Sequence, residues 1–285
     1  MAGTDTPKIA LLGSTGKAGR EVLRILLERG DHDLHIYVRS RAKLEDQFPG
    51  IGSKSNVAIA EGSVSNTETV KTCLSGATVI ICTLGSNDFE GSTILRESAK
   101  SILDALKELR KEQGSRTAPR MIYLSSSSQN KRFAAARPPG VDWLIKTAFQ
   151  KGYEDLTAAE SMLLAEADLV SLLRVQPGIL IEEEGTGHEI STESVRLAAS
   201  YPDLAQSFVE LALNRSHDTL SEIGASSKGG DRVARYAPII LSRITGGLFT
   251  VYCPGGSAAR RVLLGLSATV ALTSVYLGSS VMFDL

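Results

Sequence analysis

Short, continuous apolar runs alternate along the chain with longer stretches whose apolar residues return every three or four positions. The runs Ile9–Leu12, Leu34–Val38, Val57–Ala60, Val79–Thr83, Met121–Leu124 and Leu169–Leu173 read as strands. Val79-Ile80-Ile81-Cys82 has no polar alternate, which predicts a strand covered on both faces, as in a parallel sheet. Helices fit between the runs at Ala18–Glu28, Thr67–Leu74, Leu95–Lys111 and, as one long element, near Leu144–Glu166. In the first of these, Val22, Leu23, Ile25, Leu26 and Leu27 make a broad apolar face opposite Arg20, Glu21, Arg24 and Glu28. Strand and helix in strict alternation predict βαβ units and a doubly wound parallel α/β sheet.

After the sixth run the alternation loosens. Glu182-Glu183-Glu184-Gly185-Thr186-Gly187 reads as a solvated polar loop, Asp203–Leu213 as a helix, and Gly224–Gly230 as a Gly/Ser-rich turn. These residues predict a small C-terminal, substrate-side appendage to one domain spanning residues 1–250, followed by a hydrophobic segment at 251–285. From Val262 to Phe283 no residue is charged, a length close to the ~20 residues that span a bilayer. Ser267, Thr269, Thr273, Ser274, Ser279 and Ser280 weaken it as a span, so packing on the domain or at an interface is expected over a membrane anchor.

Charge narrows the partners. With 31 basic and 32 acidic residues the net charge is -1, which supplies no field for a polyanion. Nucleic acid is therefore excluded as a partner, and any phosphate recognition must be local. Cys73, Cys82 and Cys253 show no paired spacing, and no signal sequence precedes the first strand, so a reducing, cytoplasmic setting is expected. The four histidines form no ligand motif, and no metal is expected.

Gly13-Ser14-Thr15-Gly16-Lys17-Ala18-Gly19 joins the first strand to the first helix. A glycine turn in that context lets the backbone approach a pyrophosphate, while free N–H groups at the helix start receive its charge. This is the dinucleotide site of a Rossmann-type fold. The second strand ends in Arg39, followed by Ser40 and Lys43, where NAD binders carry an acidic residue about 20 positions past the glycines. A guanidinium there grips a 2′-phosphate, so NADP(H) is the expected cofactor. Gly62-Ser63 and Thr83-Leu84-Gly85 follow the third and fourth strands and are placed by topology along the adenine and nicotinamide-ribose portions.

These residues carry a resemblance. The Gly13, Gly16, Gly19 turn, Val38-Arg39-Ser40, Gly62-Ser63 and Gln176-Pro177-Gly178-Ile179-Leu180 resemble the atypical short-chain dehydrogenases of the NmrA-like group. Leu11–Gly16, Tyr153-Glu154-Asp155-Leu156 and Ser126–Ser128 further resemble the averufin oxidase A family of fungal secondary metabolism. That resemblance implies tailoring of aromatic polyketides, while Ser126 and Tyr153 are the candidate catalytic pair by the serine-and-tyrosine pattern of ordinary short-chain dehydrogenases. Ordinary short-chain dehydrogenases follow the tyrosine, four positions on, with a lysine; here Thr157 stands there. Without that cation a tyrosine is a poor base at neutral pH but still donates a proton, which favours reduction over oxidation. Lys151, two positions before Tyr153, does not face it on a helix, and Lys146, seven before, lies two turns away, so neither is assigned a catalytic role. The expected function is an NADP(H)-dependent oxidoreductase on a small molecule, with a redox-neutral isomerase or cyclase and a non-catalytic dinucleotide sensor as alternatives.

Overall fold

The computed structural model describes residues 7–85, 91–114 and 117–252, so the charge-free stretch and Cys253 lie outside the described residues. The chain runs β1 (Lys8–Leu12), α1 (Lys17–Arg29), β2 (Asp33–Val38), α2 (Arg41–Gln47), β3 (Val57–Glu61), α3 (Thr67–Leu74) and β4 (Val79–Cys82). It continues through α4 (Ile94–Gln113), β5 (Arg120–Leu124), α5 (Lys131–Ala135), α6 (Val141–Ala148), α7 (Gln150–Ala165), β6 (Ser171–Pro177) and β7 (Ile179–Ile181). It closes with β8 (His188–Ser191), β9 (Ala198–Ser200), α8 (Tyr201–Leu213), β10 (Glu222–Ser227) and α9 (Val233–Tyr252).

Eight strands form one sheet in the order β3-β2-β1-β4-β5-β6-β10-β8, and β7 pairs with β9 in a second, small sheet. Every pairing in the large sheet is parallel except β10 with β8. The order turns back between β1 and β4, the switch point at which a ligand crevice opens beyond the strand ends. Helices cover both faces. On one, α1 and α8 bury Val22, Leu26, Leu204 and Phe208 against Ile9, Leu11 and Ile81; on the other, α3, α4 and α7 bury Val70, Ile102 and Leu163 against Ala10, Leu12 and Ile80. The doubly wound parallel architecture is the one expected, and β4 is buried along its whole length.

Four local readings need correction. The sixth strand begins at Ser171 and runs to Pro177; Leu169 and Val170 are buried but precede it. The long helix near Leu144–Glu166 is two, α6 and α7, because the backbone leaves helical geometry at Phe149 (φ -117°, ψ 25°). The Gly/Ser-rich segment expected to turn at Gly224 is instead the buried strand β10, its glycine allowing close passage: a Cβ on Gly224 would lie 2.7 Å from the Ser194 carbonyl oxygen. Only Lys228-Gly229-Gly230 turns, as the Gly230 N–H donating to the Ser227 carbonyl shows (2.8 Å). Finally, the loop Glu182–Glu184 is not simply solvated, since Glu182 pairs with Lys17 and Glu183 with Arg235.

Beside the large sheet, β7, β9 and α9 form a small C-terminal appendage. Ile181, Ala198 and Tyr236 pack together there, joined by Ile179, Ile239 and Ile240. Arg243 of α9 donates to the Leu180 carbonyl (3.2 Å), and α9 then crosses α6 at Gly247, where a Cβ would stand 2.2 Å from the Ala148 carbonyl oxygen. Among the described residues no helix is long and apolar enough to cross a membrane. Because backbone meets backbone at that crossing, Gly247→Ala is expected to cost about 1–3 kcal/mol by lifting α9 from α6. Hydrogen exchange should rise along Val233–Tyr252 while the amides of the central strands keep their protection. Unchanged exchange in α9 would count against the contact.

Candidate functional site

The glycine turn contains two kinds of glycine. Gly13 adopts φ +96°, and a Cβ there would lie 2.7 Å from Thr83 Oγ1 and 2.8 Å from the Leu84 nitrogen. A Cβ on Gly19 would lie 2.1 Å from the Gly13 carbonyl oxygen. Both let α1 settle onto the ends of β1 and β4. Gly16 is different: it is exposed, and a Cβ would meet only the Gly13 oxygen, at 3.3 Å.

Gly16 precedes α1 with no side-chain cap, donating its N–H to Gly13 (3.0 Å) and accepting from the Arg20 N–H (2.8 Å). The N–H groups of Lys17, Ala18 and Gly19 therefore open the helix with no acceptor inside it, at the positive end of its dipole. Ser14, in the same turn beside Thr15, is fully buried, and its hydroxyl has no hydrogen-bond partner. Thr83 is also buried; its N–H (2.9 Å) and hydroxyl (3.2 Å) both donate to the Leu12 carbonyl, which fixes β4 against β1 just below the turn. Leu84 and exposed Gly85 continue outward, with open space around Gly85.

Beyond β2, Arg39, Ser40 and Lys43 are all exposed. Ser40 caps α2 by accepting from the Lys43 N–H (3.3 Å), which leaves its own O–H to donate. Arg41 is held by Glu45 (3.0 Å), but among the described residues no carboxylate lies within ion-pair distance of Arg39 or Lys43. Gly62 proves to be a packing position, since a Cβ would lie 2.6 Å from Thr69 Oγ1 on α3. Its carbonyl accepts from the Tyr37 hydroxyl (2.8 Å), and Ser63 Oγ lies 2.8 Å from Ser65 Oγ.

Ser126 and Tyr153, 27 residues apart, meet at 3.1 Å between Oγ and Oη. Ser126 sits just past β5 and Tyr153 on α7, both half-buried. Thr157 hydroxyl accepts from Gln129 Nε2 (2.9 Å), so a neutral pair occupies the lysine's place. Lys146 pairs with Asp142 (2.7 Å), and the Lys151 side chain runs beside Gly91; neither is placed by these contacts at Tyr153. Ser127 and Ser128 are buried and accept from Arg137, which also binds Asp142 (2.7 Å) and so ties the serine segment to α6.

Sequence reasoning missed the support beneath this pair. Ser125 donates to Glu160 of α7, a buried carboxylate 3.6 Å from Arg174. Burial raises the Glu160 pKa, opposed by Ser125 and Arg174. Asp155, also buried, accepts from the Leu95 (2.9 Å) and Arg96 (3.2 Å) N–H groups at the start of α4. Acidic residues two and seven positions after Tyr153 on an amphipathic helix were the available signal.

A family model described as NAD(P)H-binding matches residues 13–215, from the glycine turn to the end of α8. The chain is 32% identical to Oxidoreductase stcQ of Emericella nidulans over 211 residues, covering 72% of this chain and 77% of that protein. It is 32% identical to Oxidoreductase aflX of Aspergillus parasiticus over 206 residues, with the same two shares. A short-chain dehydrogenase/reductase from Veillonella parvula, solved in complex with NADP, shares the fold with a TM-score of 0.61 at 19% identity, over 79% of this chain and 96% of that one.

The two kinds of glycine should separate in the laboratory. Gly16→Val is expected to keep the melting temperature near that of the unaltered protein while abolishing dinucleotide binding by calorimetry, since its side chain stands where a pyrophosphate approaches. Gly19→Val should instead fail by unfolding. Undiminished binding in Gly16→Val would remove the phosphate turn from consideration.

Proposed function

The chain belongs to the NAD(P)H-binding family, and from that membership we propose that it is an NADP(H)-dependent oxidoreductase, working as a reductase on an aromatic or polyketide-like metabolite. The observation that carries this reading is the Ser126–Tyr153 pair, 3.1 Å apart, at the same edge of the sheet as the glycine turn. The kinship to stcQ and aflX, both oxidoreductases, supports the reaction class. The aromatic substrate class rests on the resemblance to the averufin oxidase A family.

The residues present fit a dinucleotide phosphate. The close passage at Gly13 and Gly19 leaves backbone where side chains would otherwise stand, the start of α1 offers uncapped N–H groups, and Ser14 holds an unpartnered hydroxyl. Arg39 and Lys43, with the Ser40 hydroxyl, would hold a 2′-phosphate. When bound, the nicotinamide supplies the hydride. Tyr153 would give its proton to the substrate's carbonyl oxygen as the carbonyl carbon takes the hydride, and Ser126 would hold that oxygen by a second hydrogen bond. With Thr157 and Gln129 in the lysine's place, the pair is suited to giving a proton rather than taking one, which favours reduction. The same neutral pair also supports a second reading, in which bound cofactor is a scaffold and the pocket directs a redox-neutral rearrangement.

Incubation with NADPH and a panel of polyketide quinones, followed by mass analysis, separates the two. Products that gain a hydride and a proton in step with NADPH oxidation support the reductase. Isomeric products at constant NADPH support the scaffold, and no product with any quinone counts against both. Arg39→Ala is expected to weaken NADPH by about 1.5–3 kcal/mol by titration and NADH little. Equal losses for both nucleotides would overturn the choice of NADP(H). Tyr153→Phe should lower kcat by roughly 10²–10⁴-fold at an unchanged NADPH affinity. A full rate would exclude Tyr153 as the acid.

A further inference from the structure

One contact spans the cofactor turn and the C-terminal appendage. Lys17, the first residue of α1, is ion-paired with Glu182, the residue that follows β7. Lys17 is not the whole of Glu182's surroundings. Arg20, one turn along α1, and Arg243 of α9 also act electrostatically on its carboxylate, and together with Lys17 they hold its pKa below the ordinary value. Glu182 is thus an anion set among three cations at the uncapped start of a helix.

The neighbouring residues keep it there. Arg243 donates to the Leu180 carbonyl two positions earlier (3.2 Å), and Glu183 is bound by Arg235 (2.9 Å) and by the Tyr236 hydroxyl (3.3 Å). All three partners lie on α9, so the backbone carrying Glu182 is fastened on its far side while its carboxylate reaches the glycine turn. Lys17 and Glu182 are both largely exposed, so the pair itself contributes little to stability. Its consequence is for whatever other anion comes to the turn.

We propose that Glu182 is a resident counter-anion of the diphosphate site: it occupies the cations at the start of α1 when cofactor is absent, and cofactor must displace it from Lys17 to bind. The proposal rests on the dinucleotide reading above and adds to it a residue that sets affinity and release. An anionic diphosphate and a carboxylate cannot both be neutralised by one lysine. The fixed carboxylate therefore opposes the bound nucleotide and speeds its departure. The opposition acts on the diphosphate, common to NADPH and NADH, and not on the 2′-phosphate beside Arg39.

The test measures equilibrium titration and stopped-flow release of NADPH and NADH from the full chain, using nucleotide fluorescence. Glu182→Gln removes the charge at an exposed position while keeping its size. It is expected to tighten both nucleotides by the same factor, about three- to tenfold at low salt, and to slow their release. In a Lys17→Gln background the same change should gain less, because the contested cation is gone. Unchanged or weaker binding in Glu182→Gln overturns the proposal, as does tightening confined to NADPH, which would move the effect to the 2′-phosphate. If the unaltered protein binds neither nucleotide, the dinucleotide reading itself fails, and the proposal with it.

Discussion

Gly19 passes the carbonyl of Gly13 so closely that a single added carbon would stand 2.1 Å from its oxygen, and the active edge of the molecule depends on that passage. It lets α1 begin directly over the ends of β1 and β4 with its first N–H groups uncovered. Thr83, bonded twice to Leu12, holds the floor of the turn in place. Strand register carries the constraint sideways: Leu12 lies opposite Cys82, Cys82 opposite Tyr123, and Tyr123 opposite Arg174. The four central strands therefore finish at nearly one level. Residues far apart in the chain, from Ser14 to Pro177, are brought to the same edge by pairing alone.

Along that edge α7 sets the spacing. One helix presents Tyr153 to Ser126, Asp155 to the first N–H groups of α4, and Glu160 to Ser125. The two carboxylates are buried, and a buried carboxylate left without partners costs several kcal/mol, so neither contact can be given up lightly. They anchor α7 on the C-terminal side of the tyrosine, two and seven positions after it. With no lysine four positions on, Tyr153 Oη meets Ser126 Oγ from this anchored helix. The Tyr153-Glu154-Asp155-Leu156 segment thus joins a chemical residue to a structural one two positions later.

The parts legible in the sequence were those decided locally. A continuous apolar run followed by Gly13, Gly16 and Gly19 and an amphipathic stretch encodes β1, the turn and α1 within one short stretch of chain. Arg39 is likewise a local reading, taken from its place at the end of β2. What escaped was decided by distant partners. Gly224 reads as a turn residue, yet Ser194, Val195 and Phe133 crowd it so closely that glycine is what permits a strand there. Gly62 also has a packing role that no local pattern announces, since Thr69 of α3 fills the space a side chain would take. The break at Phe149 and the long α9, with Pro238 inside it, follow from packing of α6 against α9, which no local period announces.

A nearly neutral protein can hold a polyanion only by arranging charge locally, and here the cations fall into two groups with different company. Arg39 and Lys43 stand at the end of β2 and the start of α2 with no carboxylate in ion-pair distance among the described residues, although Glu61 at the end of β3 accepts from the Arg41 N–H close by (2.8 Å). Lys17 pairs with Glu182, and Arg20 and Arg243 also act electrostatically on its carboxylate. Attraction concentrated at the 2′-phosphate distinguishes one dinucleotide from another, since that group is what differs between them. Attraction at the diphosphate distinguishes nothing and only lengthens the stay. On the proposed reading as a reductase the nucleotide is exchanged in every cycle, so selection would gain from the first group, and turnover from a carboxylate held against the second.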